Sequence, residues 1–207
     1  MIPVFLAAIA ALIPITNPFG AVAAFAGLTS SMDPKAAHAQ AWKTGMYVGG
    51  ILVVFAVVGT VLLSFLGIGL PALQVAGGLV VMHSGFGMIS AKPQLSEPEK
   101  AGAVTQTDVS FSPMALPLVA GPGAIGVVIA MSARHASWQS SLGVVLACIV
   151  IAAAVALLLR YGTPLVDKLG PTGIGALTRI MGFLILAIGV ELTLHGVVEF
   201  VKSASGS

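Results

Sequence analysis

The sequence predicts an all-α integral membrane protein. Six transmembrane helices would form two inverted-topology three-helix repeats, with spans 1 and 4 broken at Asn-Pro and Gly-Pro. Three observations carry this. Of the 207 residues 57% are apolar and only 8% charged, with mean hydropathy +1.06, whereas a soluble domain carries about 25% charged residues. Apolar runs near the roughly 20 residues that a helix needs to cross hydrocarbon recur along the chain. Inside two of those runs a proline follows Asn17 or Gly121, where an unbroken helix would satisfy the backbone at least cost.

The same totals exclude several function classes. A net charge of +2 with no basic cluster gives no footing for nucleic acid. Cys148 is the single cysteine and sits in an apolar run, so it is read as packing. The opening Met1-Ile2-Pro3-Val4-Phe5 has no basic n-region and reads as a retained span, not a cleaved signal. Little soluble mass is left for a catalytic domain, and no enzyme is expected.

In chain order the spans fall at about 2–28, 45–66, 70–90, 112–133, 140–160 and 175–200. Trp42 and Tyr47 flank the second, and Trp138 and Tyr161 bracket the fifth, as interfacial anchors do. The first repeat is assigned to 1–91 and the second to 112–202. Between them 92–111 forms a polar cytoplasmic linker that includes Pro93, Glu97, Pro98 and Asp108; a disordered tail follows at 203–207. The loops after spans 1, 3 and 5 hold Lys35, Lys43, Lys92, Lys100, Arg160, Lys168 and Arg179, while the opposite side holds only Arg134 and Lys202. The excess places the odd-numbered loops in the cytoplasm and both termini outside.

The halves resemble each other. Leu66-Gly67 leads through Leu73-Gln74 to Gly78, and Leu169-Gly170 leads through Leu177-Thr178 to Gly182. Pro18-Phe19-Gly20-Ala21 aligns with Pro122-Gly123-Ala124-Ile125. An odd number of spans per copy requires the two copies to sit in the membrane with opposite topology.

Each break has a defined chemistry. Proline removes an N–H and clashes with the carbonyl four residues back, so Pro18 disturbs Pro14 and Pro122 disturbs Leu118; Pro113 and Pro117 add to the second disruption. Asn17 suits an N-cap with Pro18 at the first helical position. Gly121 can cap before Pro122 because it tolerates unusual backbone angles. The restarted helices then present N–H groups and partial positive charge at mid-membrane, while carbonyls around Thr16 and Ala120 are released. Donors beside free carbonyls suit a zwitterion. Thr16, Asn17, Pro18, Gly20, Ala120, Gly121, Pro122 and Gly123 are therefore the substrate-binding candidates. The competing reading is a pair of packing kinks, since proline and glycine are common in membrane helices; two matched breaks favour the site.

Ionisable groups at membrane depth supply candidates for coupling or gating. Arg179, about four residues into the sixth span, is read first as snorkelling to the interface. Glu191 lies about 18 Å further along a helix and shares a face with His195 at i+4. It can take a proton or pair with a cation. His83 is alone on the third span, where a hydrogen-bonded packing role competes with proton carriage. No metal site is expected: two residues make a poor one, and HExxH is absent. The glycines of the third span (Gly77, Gly78, Gly85, Gly87) and of the sixth (Gly182, Gly189, Gly196) are read as packing faces, and they are also compatible with a homo-oligomer.

Asn17-Pro18-Phe19-Gly20, the block from Pro113 to Ile125, and Thr178-Arg179-Ile180-Met181-Gly182 resemble the MarC family over nearly the whole chain. That family comprises six-span prokaryotic inner-membrane proteins and includes the SnatA-type transporters of small neutral amino acids. The resemblance implies transport or export of glycine and alanine, with a proton or sodium gradient as the coupling source and no other cofactor. It carries over to Asn17, Pro18, Gly20, Ala120, Gly121, Pro122, Gly123 and Arg179. The chain departs from the family pattern at Asn17, where Asp is usual, at Glu191, where Gln is commoner, at His195, near which Asn or Asp is more usual, and at His83, usually aliphatic. Acidity is thus expected to have moved from the first break to Glu191. An aquaporin-like channel and a non-transporting membrane scaffold are the alternatives; an intramembrane enzyme stands behind both, for want of a nucleophile and base.

Overall fold

The computed structural model describes residues 1–90, 107–134 and 137–205. Most of the expected linker, with Lys92 and Lys100, lies outside the described residues. Among the described residues eight helical segments follow one another: α1 (Ile2–Thr16), α2 (Pro18–Leu28), α3 (Pro34–Phe65), α4 (Leu70–Ile89), α5 (Ser110–Val119), α6 (Pro122–Arg134), α7 (Trp138–Tyr161) and α8 (Thr163–Ser205). Four are long and apolar enough to cross a membrane; counting the bent pairs α1–α2 and α5–α6 as one span each gives six. The pairs bend by 41° and 62°.

Three boundaries differ from expectation. α3 begins at Pro34, not near 45: Asp33 accepts a hydrogen bond from the Lys35 N–H at 2.9 Å, and Pro34 occupies the first turn, a local start signal that outweighs the polar composition of 35–44. α8 starts at Thr163 and is divided at Gly170 (φ 61°), directly before Pro171. Its helix continues through Ser205, so the tail is helical over 203–205.

Close glycine contacts fix how the helices run. A Cβ on Gly78 would meet the Gly189 carbonyl at 2.6 Å, one on Gly85 the Gly182 carbonyl at 2.8 Å, and one on Gly196 the Pro71 carbonyl at 2.8 Å. α4 and α8 are therefore antiparallel and in backbone contact, as the glycine faces predict. Gly45 and Gly49 of α3 lie against Ala156 and Ala152 of α7, which sets that pair antiparallel too. Gly143 of α7 meets Met1, and Gly59 of α3 meets Ile129 of α6. Met1, Phe65, Leu70, Arg134, Trp138 and the end of α8 thus share one end of the bundle. The Leu28–Pro34 turn, Ile89, Val109 and Tyr161 share the other. Replacing Gly78 with Ala forces α4 from α8 and is expected to cost about 1–3 kcal/mol. Gly87→Ala, whose Cβ would meet nothing within 4 Å, is the control; thermal melts in detergent read the difference.

The core between these layers includes Leu12, Val22, Phe25, Leu52, Val128, Ile151 and the thiol of Cys148, all buried. Outward faces carry Val54, Val57, Val61, Phe183, Leu194 and Val198, all exposed, as lipid contact demands. Trp42, Tyr47, Trp138 and Tyr161 are exposed as well. Tyr47 meets Phe111 edge-to-face at 5.3 Å, and the Arg160 guanidinium lies 5.1 Å over the Tyr161 ring.

The entry into α5 is tied to α3. Gln40 donates to the Thr107 carbonyl at 3.2 Å and accepts from the Val109 N–H at 3.2 Å. Lys43 pairs with Asp108 at 2.8 Å, while Ser110 donates its hydroxyl and its N–H to the same carboxylate. The Lys43 and Ser110 bonds hold the Asp108 carboxyl down at about 2. A lowered folded-state pKa favours the folded form above the unfolded value of about 3.9 and loses that contribution as pH falls through the folded value. The tie is thus complete from pH 7 to about 5 and weakens between about 4 and 2. Asp108→Asn removes the ion pair at every pH, and melting curves should show an unchanged gap between variant and parent from pH 7 to 5 that is narrowed at pH 3.

Candidate functional site

Asn17 makes the first break. It sits in the left-handed region (φ 39°, ψ 64°), the only non-glycine residue with positive φ among the described residues, a conformation that Asn tolerates better than most side chains. Its N–H donates to the Pro14 carbonyl at 3.0 Å, ending α1, and its carbonyl accepts from Ala21 N at 2.9 Å, starting α2. Its Oδ1 accepts from the Gly20 N–H at 3.2 Å. This is the cap that the Asn-Pro pair predicts. The other side-chain atom, Nδ2, is buried and has no hydrogen-bond partner among the described residues.

The second break is wider. In α5 the N–H to carbonyl bonds span five residues, Met114 to Val109 at 3.2 Å and Ala120 to Ala115 at 2.9 Å, because Pro113 and Pro117 cannot donate and force Ser112 and Leu116 into extended angles (ψ 126° and 130°). α6 then restarts with the Ile125 N–H on the Gly121 carbonyl at 3.1 Å. Gly121 does not use positive φ, contrary to the expectation from its backbone freedom. Glycine is needed there because a Cβ would collide with the Pro117 carbonyl oxygen.

Both breaks open on one cavity of about 350 Å³, lined among others by Asn17, Gly121, Pro122, Gly123, Pro117, Leu118 and His83. Asn17, the start of α6 and the end of α5 therefore border the same small volume, with the unpartnered Asn17 Nδ2 buried beside it. Thr16 is buried with its hydroxyl on the Ile13 carbonyl at 3.2 Å. Thr16, Pro18, Gly20 and the buried Ala120 support the breaks without lining the cavity. His83 is not a packed histidine: it is exposed on the cavity wall and has no hydrogen-bond partner among the described residues. Ser84 and Gly87 beside it also line the cavity. Sequence reasoning passed over Ser84 and read Gly87 as packing, although the i+4 spacing of Gly87 from His83 puts the two on one helix face. Arg179 is exposed and lines no cavity described here.

Glu191 belongs to a second cavity, of about 470 Å³, with His195, Arg134, Ala187, Val127 and Ile188. Glu191 accepts from His195 Nε2 at 2.8 Å, and Arg134 approaches Glu199 at 3.9 Å. Three helices pass from one cavity to the other: α1 at Ile15 and Ala11, α6 at Ala124 and Val127, α8 at Ile185 and Ala187. On each the separation is no more than about one turn. A single apolar cluster of Val81, Met88, Val127 and Ile185, joined by Ile15, Ile188 and Leu192, supplies walls to both. Among the described residues no three His, Cys, Asp or Glu side chains gather as a metal site would require.

Over residues 2–201 the sequence matches the family model described as MarC family integral membrane protein. The chain belongs to the MarC family. It is similar to the inner membrane protein MarC of Salmonella typhimurium strain LT2, with 32% identity, and to those of Citrobacter koseri (31%) and Escherichia coli O139:H28 (29%). Each alignment spans 205 residues and covers 93% of both chains. No solved structure matches this chain. Membership of a family of integral membrane proteins fits the multi-pass architecture.

Proposed function

We propose that this MarC-family chain is a secondary transporter or exporter of small neutral amino acids such as glycine and alanine, working by alternating access in a prokaryotic inner membrane. The observation that carries the proposal is the meeting of the two broken helices at one cavity with a buried, unpartnered Asn17 Nδ2. A buried amide N–H₂ without an acceptor is costly, and a substrate carboxylate supplies one. The released carbonyls of α5 receive the ammonium. At about 350 Å³ the cavity lies at the low end of ligand sites, about 300–1,000 Å³, which favours a small solute over a drug-sized one.

The six spans are read as two inverted three-helix repeats. Gly67 (φ 67°) and Gly170 (φ 61°) both take positive φ at the aligned Leu-Gly pairs, and the equivalent helices α3 and α7, and α4 and α8, pair antiparallel. The bundle end with Lys35, Lys43 and Arg160 is then cytoplasmic and both termini are outside. The chain acts as a carrier, not an enzyme, and its coupling ion is a proton or sodium. Glu191 and His83 are the coupling candidates, and Arg179 that of interfacial gating.

Labelled alanine flux in proteoliposomes under imposed proton, sodium and zero gradients tests this reading. Saturable flux accelerated by one gradient supports it. Linear, osmotically driven flux indicates a pore, and the absence of binding and flux indicates a scaffold.

A further inference from the structure

We infer that the second cavity is a binding site of its own for the zwitterionic substrate, with Arg134 reading the carboxylate and Glu191 the ammonium. The inference rests on the transporter reading above. It starts from charge placement. Arg134 ends α6 and Glu191 lies on α8, and both line one cavity whose other walls are largely apolar. Neither charge is fully engaged. Among the described residues Arg134 has only the 3.9 Å approach to Glu199, and Glu191 shares one bond with His195 while remaining 70% exposed. A guanidinium binds a carboxylate through paired N–H donors, and a carboxylate binds an ammonium through either oxygen. An amino acid carries a partner for each charge, whereas a simple amine or a simple carboxylic acid carries one.

Position adds the second argument. The cavity lies toward the bundle end with Met1 and Trp138, and the Asn17 cavity lies on the other side of the Val81–Val127–Ile185 cluster. A solute leaving the breaks along α1, α6 or α8 reaches Arg134 and Glu191 once that apolar barrier separates. The second cavity is thus the far vestibule of the same path, and it holds substrate independently of the first.

Cysteine protection separates the two sites. Ala187→Cys reports the second cavity and Gly87→Cys the first, each in a Cys148→Ser background and labelled with a charged, membrane-impermeant thiol reagent. Alanine is expected to slow labelling of Ala187→Cys, while alaninamide, which lacks the carboxylate, and propionate, which lacks the ammonium, are not. Protection persists when Asn17→Gly disables the first site. Arg134→Gln or Glu191→Gln raises the half-protecting alanine concentration by about tenfold or more, the loss of one hydrogen bond to a charged group. Labelling rates without alanine that match the parent show the variants intact. Equal protection by all three compounds, indifference to both charge variants, or loss of protection with Asn17→Gly overturns the inference. Protection of Gly87→Cys alone overturns it and leaves the transporter reading standing, whereas protection of neither cysteine overturns both.

Discussion

Replacing Asn17 by glycine is expected to leave the fold intact and weaken alanine binding by about tenfold or more. Glycine keeps the left-handed backbone at φ 39°, and exchanging an N-cap Asn for Gly costs only a few tenths of a kcal/mol. The substitution removes Nδ2, the buried, unpartnered donor of a residue that lines the cavity. A hydrogen bond to a charged group contributes about 1.5–3 kcal/mol, or about 10- to 150-fold in affinity. Asn17→Ala separates the roles: it adds the left-handed penalty of about 1–2 kcal/mol and lowers stability as well as affinity. Equilibrium binding of labelled alanine with parallel thermal melts distinguishes the two. Unchanged affinity in Asn17→Gly would remove Asn17 from the site.

Bulk at the second break is expected to have the larger effect on transport. Gly121→Leu brings its Cβ against the Pro117 carbonyl and its remaining atoms into the cavity, so flux falls to the background of empty liposomes. The backbone collision also threatens folding, and Gly123→Val supplies the milder comparison. A Cβ on Gly123 meets a side chain, Val81 Cγ2 at 3.0 Å, a milder conflict than the one with the Pro117 carbonyl at Gly121. Overpacking of this kind costs about 1–3 kcal/mol, and the added methyls narrow the cavity between Asn17 and Pro122. Gly123→Val that inserts and melts like the parent yet transports alanine at the parental rate would show that this cavity is not the substrate site.

Much of the architecture is legible in the sequence because the bilayer leaves few choices. Composition and run length give the spans, Asn17-Pro18 gives a cap and a break, and the heptad-spaced glycines of α4 and α8 mark the faces along which helices approach closely. Helix ends at the membrane surface are less legible, since water satisfies a protruding helix as well as a loop; α3 thus begins at Asp33-Pro34 and α8 runs through Ser205. The second cavity is legible only in part. The i,i+4 spacing pairs Glu191 with His195, but Arg134 belongs to another helix, and sequence treats it as a loop charge. His83 reads as a packing residue because periodicity cannot tell a lipid- or protein-facing wall from a cavity wall.

The central claim, that the two broken helices hold a small zwitterion, is tested most directly by alanine counterflow in proteoliposomes. Vesicles preloaded with unlabelled alanine and containing the wild-type protein are predicted to accumulate labelled alanine transiently above equilibrium, and those containing Gly121→Leu are not. Labelled alanine that equilibrates at the same rate with or without the internal load, or in both proteins alike, would contradict the account.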